Sequence, residues 1–249
     1  MSNSSHSPRP RAFVTGAAKR IGRAICEHLA ARGYDLVLHC HQSRDEAESL
    51  AQVLRAKGAE AQVVQADLAS IHQLHTLWQG VPPCDLIIHN ASAFVRDSAA
   101  DCDSEVLEAH AQINYLAPVI LSQQFARQLP AAKKGQVIFL SDSVLGWSIS
   151  PQFFSYAASK LALNSATDLL AAALAPNIRV NTIALGPTLE SAHDKEGLFA
   201  KLAQAAPLKR TSAPTEVLAA LDYLLAAEGV TGQILSLSGG MQLATPKKL

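Results

Sequence analysis

Short apolar runs alternate with longer amphipathic stretches along nearly the whole chain, and this alternation constrains the fold more than any other feature. The runs are Ala12–Thr15, Leu36–His41, Ala61–Gln65, Leu86–His89, Val137–Ser141, Arg179–Ala184 and Ile234–Leu237. Between them, Ile21–Arg32, Glu46–Lys57, Ile71–Trp78, Glu105–Gln128, Tyr156–Ala173 and Thr215–Ala227 carry apolar residues at helical spacing. A strand followed by a helix returns to a parallel neighbour by a right-handed crossover, which leaves helices on both faces of a buried sheet. The pattern therefore predicts a single-domain, doubly wound α/β fold with a parallel sheet of about seven strands.

At 249 residues the chain is long enough for one large domain, and no internal repeat or linker divides it. We read residues 11–249 as that domain. Residues 1–10 are polar, carry Pro8 and Pro10, and read as a disordered lead without the apolar stretch of a secretory signal. Residues 187–214 hold no convincing strand. This segment follows the carboxyl end of a strand, where ligands bind in open α/β sheets, so it reads as a lid or substrate loop.

The 21 basic and 21 acidic side chains cancel, leaving no field to attract nucleic acid or an anionic membrane. No apolar run approaches the roughly 18 residues that a membrane span requires. Cys26, Cys40, Cys84 and Cys102 lie far apart and read as reduced thiols of a cytoplasmic protein. His39, Cys40 and His41 fall on alternating faces of one strand and no carboxylate cluster accompanies them, so no metal is expected.

The first run leads into Thr15-Gly16, and Ile21-Gly22 opens the first helix. Glycines at this turn let the backbone approach a pyrophosphate lying at the positive end of the helix dipole, as in a Rossmann-type dinucleotide site. An NAD-binding version places an acid at the end of the second strand to hold the ribose. Here that strand ends in His41-Gln42-Ser43-Arg44, while Lys19 and Arg20 stand in the turn itself. Two cations and no acid suit the 2′-phosphate of NADPH.

Tyr156 and Lys160 lie four residues apart at the start of a helical stretch, hence on one face. A neighbouring ammonium favours the phenolate, which predicts a Tyr156 hydroxyl pulled down toward the working range of a general acid. Ser143, thirteen residues before Tyr156, follows the fifth strand, where its hydroxyl can meet a substrate carbonyl. If the strand continues, the neighbouring Asp142 points the other way.

From Arg11 to about Leu243 the chain resembles the short-chain dehydrogenase/reductase family. The resembling pieces are Thr15-Gly16-Ala17-Ala18-Lys19-Arg20-Ile21-Gly22, Ala66-Asp67-Leu68, Asn90-Ala91-Ser92, Asn114, Ser143, Tyr156 with Lys160, and Leu185-Gly186-Pro187-Thr188. The resemblance implies that Tyr156 donates a proton while the nicotinamide supplies hydride, that Lys160 holds the nicotinamide ribose, and that Ser143 orients the substrate. It implies a water-holding role in a proton relay for Asn114, an adenine contact for Asp67 beside Leu68, and a place along the cofactor cleft for Asn90 with Ala91 and Ser92. The resemblance also implies that Gly186 and Thr188 bind the cofactor.

Within the family, Arg20 at a customary glycine position, His41 with Ser43, and Asn90 to Phe94 resemble the pteridine reductase branch. That likeness implies that Arg20 meets the cofactor phosphates and the pterin side, that Ser92 contacts ligand, and that Phe94 stacks on a flat heterocycle. Gln42 and Ser143 depart from the branch, which often carries an arginine and an acid there. The implied activity is NADPH-dependent reduction of a carbonyl or imine group, with pteridine-like substrates leading. A reductase of ordinary ketones or sugars and a non-catalytic NADP-binding regulator stand as alternatives. Family members commonly form homotetramers, which also explains the apolar circumference of Leu161–Ala175.

Overall fold

A computed structural model of the chain describes residues 9–143, 152–190 and 197–243. Seven parallel strands form one sheet in the order β3-β2-β1-β4-β5-β6-β7. They are β1 (Arg11–Val14), β2 (Asp35–Cys40), β3 (Ala61–Gln65), β4 (Leu86–His89), β5 (Gly135–Asp142), β6 (Ile178–Leu185) and β7 (Ile234–Leu237). Around them lie α1 (Arg20–Ala31), α2 (Arg44–Ala56), α3 (Ile71–Gln79), α4 (Ser104–Ala111), α5 (Ala117–Gln128), α6 (Phe154–Leu174), α7 (Leu198–Ala205) and α8 (Pro214–Ala226). The predicted doubly wound sheet is the observed one.

Strand periodicity divides the core. On β1, Ala12 and Val14 join Leu36, Leu38, Ile88, Ile138 and Leu140 in a cluster covered by α1, α2 and α8. The intervening Phe13 joins Val37, Ile87, Val137 and Phe139 in a second cluster beneath α3, α5 and α6. Successive side chains of one strand thus feed opposite layers, so each strand must be apolar throughout. Phe13 is fully buried and meets Trp78 edge-on, with ring centroids 5.4 Å apart.

Three features were not visible in the periodicity. The stretch read as one helix, Glu105–Gln128, is broken by a π-helical turn at Gln112–Leu116. Among its described residues the 187–214 segment has no strand but contains α7, begun by Gly197 in the left-handed region at φ 72°. Its residues 191–196 lie outside the described structure, as do residues 1–8 of the predicted lead. Arg9 is nevertheless tied down: its guanidinium donates to the carbonyls of Gly33 (3.0 Å) and Gly58 (2.8 Å) and pairs with Asp35. Order therefore extends into the stretch read as disordered.

Sheet order fixes where a site can form. The strand sequence reverses direction between β1 and β4, and open α/β sheets bind ligands at such a switch point, outside the carboxyl ends of the strands. Gly16, His41, Asp67, Asn90, Ser143 and Gly186 all follow carboxyl ends of strands at this edge.

Candidate active site

The turn after β1 is held by short polar contacts. Gly16 adopts φ 62°, and a side chain there would meet the backbone of Ala91 at 3.0 Å. A Cβ on Gly22 would lie 2.1 Å from the Gly16 carbonyl oxygen. Asn90 brackets the turn: its Nδ2 donates to the carbonyls of Thr15 and Gly16, each at 3.0 Å. The Thr15 hydroxyl accepts from the amides of Asn90 and Ala91. Arg20 keeps the left-handed backbone that a glycine would adopt there, at φ 51°.

The residues around this turn fit a dinucleotide phosphate. No side chain caps α1 and no acid stands in its first turn, so the first amides keep both their donors and their positive dipole end. The two turn cations, however, diverge rather than meet at one phosphate. Lys19 pairs with Glu46 in the first turn of α2 at 2.6 Å, beside the end of β2. Arg20 donates to the Glu190 carbonyl at 2.9 Å, on the side of the 187–190 segment. The opposite pulls of a carboxylate and a carbonyl separate two neighbours that the sequence reading placed together.

His41, exposed, and Ser43 follow the end of β2, and Ser43 starts α2 without a side-chain cap. Asp67 accepts from the Ala69 amide at 2.9 Å, and Leu68 is buried beside it. Gly186 follows β6 so closely that a Cβ would lie 2.8 Å from the Ser238 Cα, and Thr188 donates to the Gly186 carbonyl. Ile21 packs against the core at the start of α1.

A histidine weighed in the sequence only as a metal ligand secures the turn from below. His39 lies in a fully buried strand, where a polar ring must find partners. Its Nδ1 accepts from the Gly16 amide at 3.3 Å, which leaves Nε2–H to donate to the Ala66 carbonyl at 3.1 Å. Burial holds this imidazole down to about 4, so it stays neutral.

Tyr156 and Lys160 share one face of α6. The Tyr156 hydroxyl donates to Asp142 Oδ2 at 3.1 Å. Lys160 is buried; its Nζ donates to the Leu140 carbonyl at 3.1 Å and lies 5.9 Å from the Tyr156 ring centre. Two expectations are corrected here. Asp142 does not point away: it is the last residue of β5, where strand alternation ends, and its carboxylate accepts from Tyr156. Nor is the tyrosine pulled down by its lysine neighbour: burial and then the Asp142 carboxylate push its hydroxyl well above the ordinary value. Burial in turn holds Lys160 down to about 8, with Asp142 opposing. Ser143 is buried and its hydroxyl has no hydrogen-bond partner among the described residues.

Asn114 occupies the π-helical turn, a distortion frequent at functional sites. Its Nδ2 donates to the Ala93 carbonyl and the Ser159 hydroxyl, and its Oδ1 accepts from the Ala93 amide and the Ser92 hydroxyl. Two donors and two acceptors exhaust the amide, leaving the side chain nothing with which to hold a water. Ser92 is likewise turned toward Asn114.

An aromatic wall stands beside the tyrosine. Phe94 stacks on Phe153 with ring centres 4.6 Å apart and meets Tyr156 edge-on at 4.7 Å. The Arg96 guanidinium lies 5.5 Å from the Phe153 ring centre. Phe153 is therefore part of this aromatic wall, whereas Phe154 is exposed on α6.

Known proteins show the family and the fold. The short chain dehydrogenase family matches residues 10–197. The "Uncharacterized oxidoreductase YmfI" of Bacillus subtilis is 32% identical over 92% of this chain and 97% of its own length. The dihydromonapterin reductase of an Enterobacter species is 29% identical, covering 96% of this chain and 99% of the relative. Among solved structures, FolM alternative dihydrofolate reductase 1 from Brucella suis, in complex with NADP, superposes with a TM-score of 0.87. It is 37% identical, covering 96% of this chain and 98% of that one.

Proposed function

The chain belongs to the short chain dehydrogenase family, and from that membership we propose that it is an NADPH-dependent reductase of a flat, pteridine-like carbonyl or imine. The observation that carries this reading is the joining of a proton-bearing tyrosine to an aromatic wall. Tyr156 holds its proton beside Asp142, and Phe94 with Phe153 offers a planar surface against it. The names of the Enterobacter and Brucella relatives, a pterin reductase and a folate reductase with NADP, support the same substrate class.

Bound NADPH supplies hydride to the electrophilic carbon. Gly16, Gly22 and the free amides at the start of α1 receive the pyrophosphate. Lys19, with His41, Ser43 and Arg44 at the end of β2, reads the 2′-phosphate, and Arg20 faces the 187–190 segment. Asp67 and Leu68 line the adenine end; Asn90, Ala91, Gly186 and Thr188 line the remainder. Tyr156 donates the proton to the substrate atom that gains negative charge. The Ser143 hydroxyl, which has no partner among the described residues, orients the substrate, and Lys160 steadies the ribose next to Tyr156. The exposed apolar residues Phe154, Leu161 and Leu169 follow one stripe of α6, which we read as the contact between copies of a homotetramer. Three buried reduced cysteines suit a cytoplasmic setting.

Loss of NADPH absorbance with dihydrobiopterin, dihydrofolate and a set of aliphatic ketones tests the reading, with NADH in parallel. Turnover of a pterin, together with a loss of about a hundredfold or more in Tyr156→Phe at unchanged NADPH affinity, is expected. Turnover of aliphatic ketones alone would remove the pterin and keep the reductase. Tight NADPH binding without any turnover would favour a regulatory module.

A further inference from the structure

Beneath the aromatic wall lies a buried chain of hydrogen bonds whose direction can be assigned. His110, on α4, is fully buried. The Val95 amide donates to its Nε2 at 3.2 Å, so that nitrogen carries no proton. The proton of the neutral ring must then sit on Nδ1, which donates to the Ser155 hydroxyl at 2.5 Å. Ser155 passes its own proton to Asp97 Oδ2. The same carboxylate accepts from the Ser155 amide at 3.2 Å and from the Cys102 thiol at 3.0 Å. Every donor points toward Asp97, and the first link in the chain is a backbone amide adjacent to Phe94.

This network joins three parts of the site. Asp97 and Val95 belong to the loop after β4; its Asp97 amide donates to Gln152, and Asp97 forms a parallel bridge with Phe153. Ser155 sits on α6 immediately before Tyr156. His110 stands two residues before the π-helical turn that holds Asn114, and its ring meets that of Tyr156 edge-on at 6.1 Å. None of these bonds is needed to form the sheet. Together they fix the height and tilt at which Phe94 faces Tyr156.

We propose that neutral His110 is a positioning residue for the substrate wall, holding Phe94 in register with Tyr156 through the Val95 amide and Ser155. This inference rests on the reading of Phe94 as part of the substrate site. A second proton on His110 can go only to Nε2, where it meets the Val95 N–H head on and expels the loop. The groups facing the ring are Asp97 from the loop, which favours that proton, and Lys160 from α6, which opposes it. Tyr156 and Ser155 face it from α6, and Cys102 bonds to Asp97 from the segment before α4. Burial is the largest influence and disfavours the charged ring. The wall is therefore set at neutral pH and released in acid.

Two substitutions separate the two nitrogens. In His110→Gln the side-chain carbonyl reaches the Nε2 position and still accepts from Val95, but cannot titrate. In His110→Asn the side chain ends near Nδ1 and leaves Val95 unpaired. His110→Asn is expected to raise KM for dihydrobiopterin about fivefold to tenfold, the scale of one hydrogen bond, and to affect KM more than kcat. His110→Gln is expected to stay near the wild-type KM at neutral pH and to lose the acid-side rise in KM that the wild type shows.

Equal KM changes in both variants, or an acid-side rise that persists in His110→Gln, would overturn the proposal. Nitrogen-15 spectra of histidine-labelled wild-type protein give a readout that needs neither substrate nor mutant. They should show His110 protonated on Nδ1, and an Nε2-protonated ring would end the argument. Phe94→Ala separates the two layers of inference. If it leaves KM for dihydrobiopterin unchanged, the wall reading fails and the role of His110 fails with it. If it raises KM while the His110 variants do not, the wall stands and only the positioning role is lost.

Discussion

The Tyr156 hydroxyl donates to Asp142 Oδ2 across 3.1 Å, so the proposed proton donor faces a carboxylate as well as the buried Lys160. The carboxylate raises the tyrosine's hold on its proton by charge and by the hydrogen bond, on top of the effect of burial. An acid that donates in the reaction must be protonated, so reductive turnover declines as pH rises through its titration. Replacing Asp142 with Asn removes the negative charge and moves that titration to lower pH. The alkaline limb of kcat/KM in Asp142→Asn is therefore expected to begin earlier than in the wild type. Steady-state rates followed from neutral pH to beyond the ordinary tyrosine value of 10 read this directly, and a limb that stays put or moves upward would remove Asp142 from the control of the tyrosine.

Lys19 and Arg20 are neighbours in the chain but part company in space. Lys19 is held by Glu46 at the edge of β2, where a 2′-phosphate would lie, and Arg20 by the Glu190 carbonyl. Lys19→Ala is expected to weaken NADPH binding about tenfold while changing NADH binding by less than twofold, as loss of one charge-assisted phosphate contact implies. Arg20→Ala is expected to weaken both cofactors to a similar extent. Fluorescence titration of the two nucleotides decides the matter. A selective loss of NADPH affinity in Arg20→Ala, with none in Lys19→Ala, would reverse the assignment.

The sheet was legible because every strand of a doubly covered parallel sheet must be apolar on both faces, as Phe13 between Ala12 and Val14 illustrates. The glycine turn was legible because Gly16 and Gly22 admit no side chain. Tyr156 and Lys160 were legible because helical spacing alone places them on one face. Asp142 was misplaced because strand alternation loses its hold on the last residue of β5. Asn114 was found, but not its saturated amide, because a π-helical turn leaves no mark on apolar periodicity. His39 and His110 were missed as functional residues for one reason: the value of a buried imidazole lies in partners far away in sequence. His39 bonds the turn at Gly16 and the end of β3 at Ala66, and His110 bonds Val95 and Ser155. A histidine inside an otherwise apolar strand was the available signal for the first, since such a ring must be satisfied.

Lys160 carries a cost that can be measured apart from catalysis. Burial holds its amine down to about 8 from an ordinary 10.5, with the Asp142 carboxylate offsetting part of the effect. Between those two values the unfolded chain keeps a proton that the folded protein has released, so stability rises as pH rises through that window. Below pH 8 both states are protonated and the full cost of the buried ammonium is present. Lys160→Met fills similar space without charge and is expected to stabilise the fold at pH 7 by about 1–2 kcal/mol, less than the whole burial cost because the bond to Leu140 is lost. For a chain of this size that corresponds to a rise in Tm of roughly 2–8 °C. The same variant should lose most of its turnover, and its advantage in stability should shrink toward zero by pH 10.5. Urea denaturation of both proteins at pH 7 and pH 10 tests the two statements together. A variant less stable than the wild type at pH 7 would show that the Leu140 and Asp142 contacts outweigh the burial of the charge.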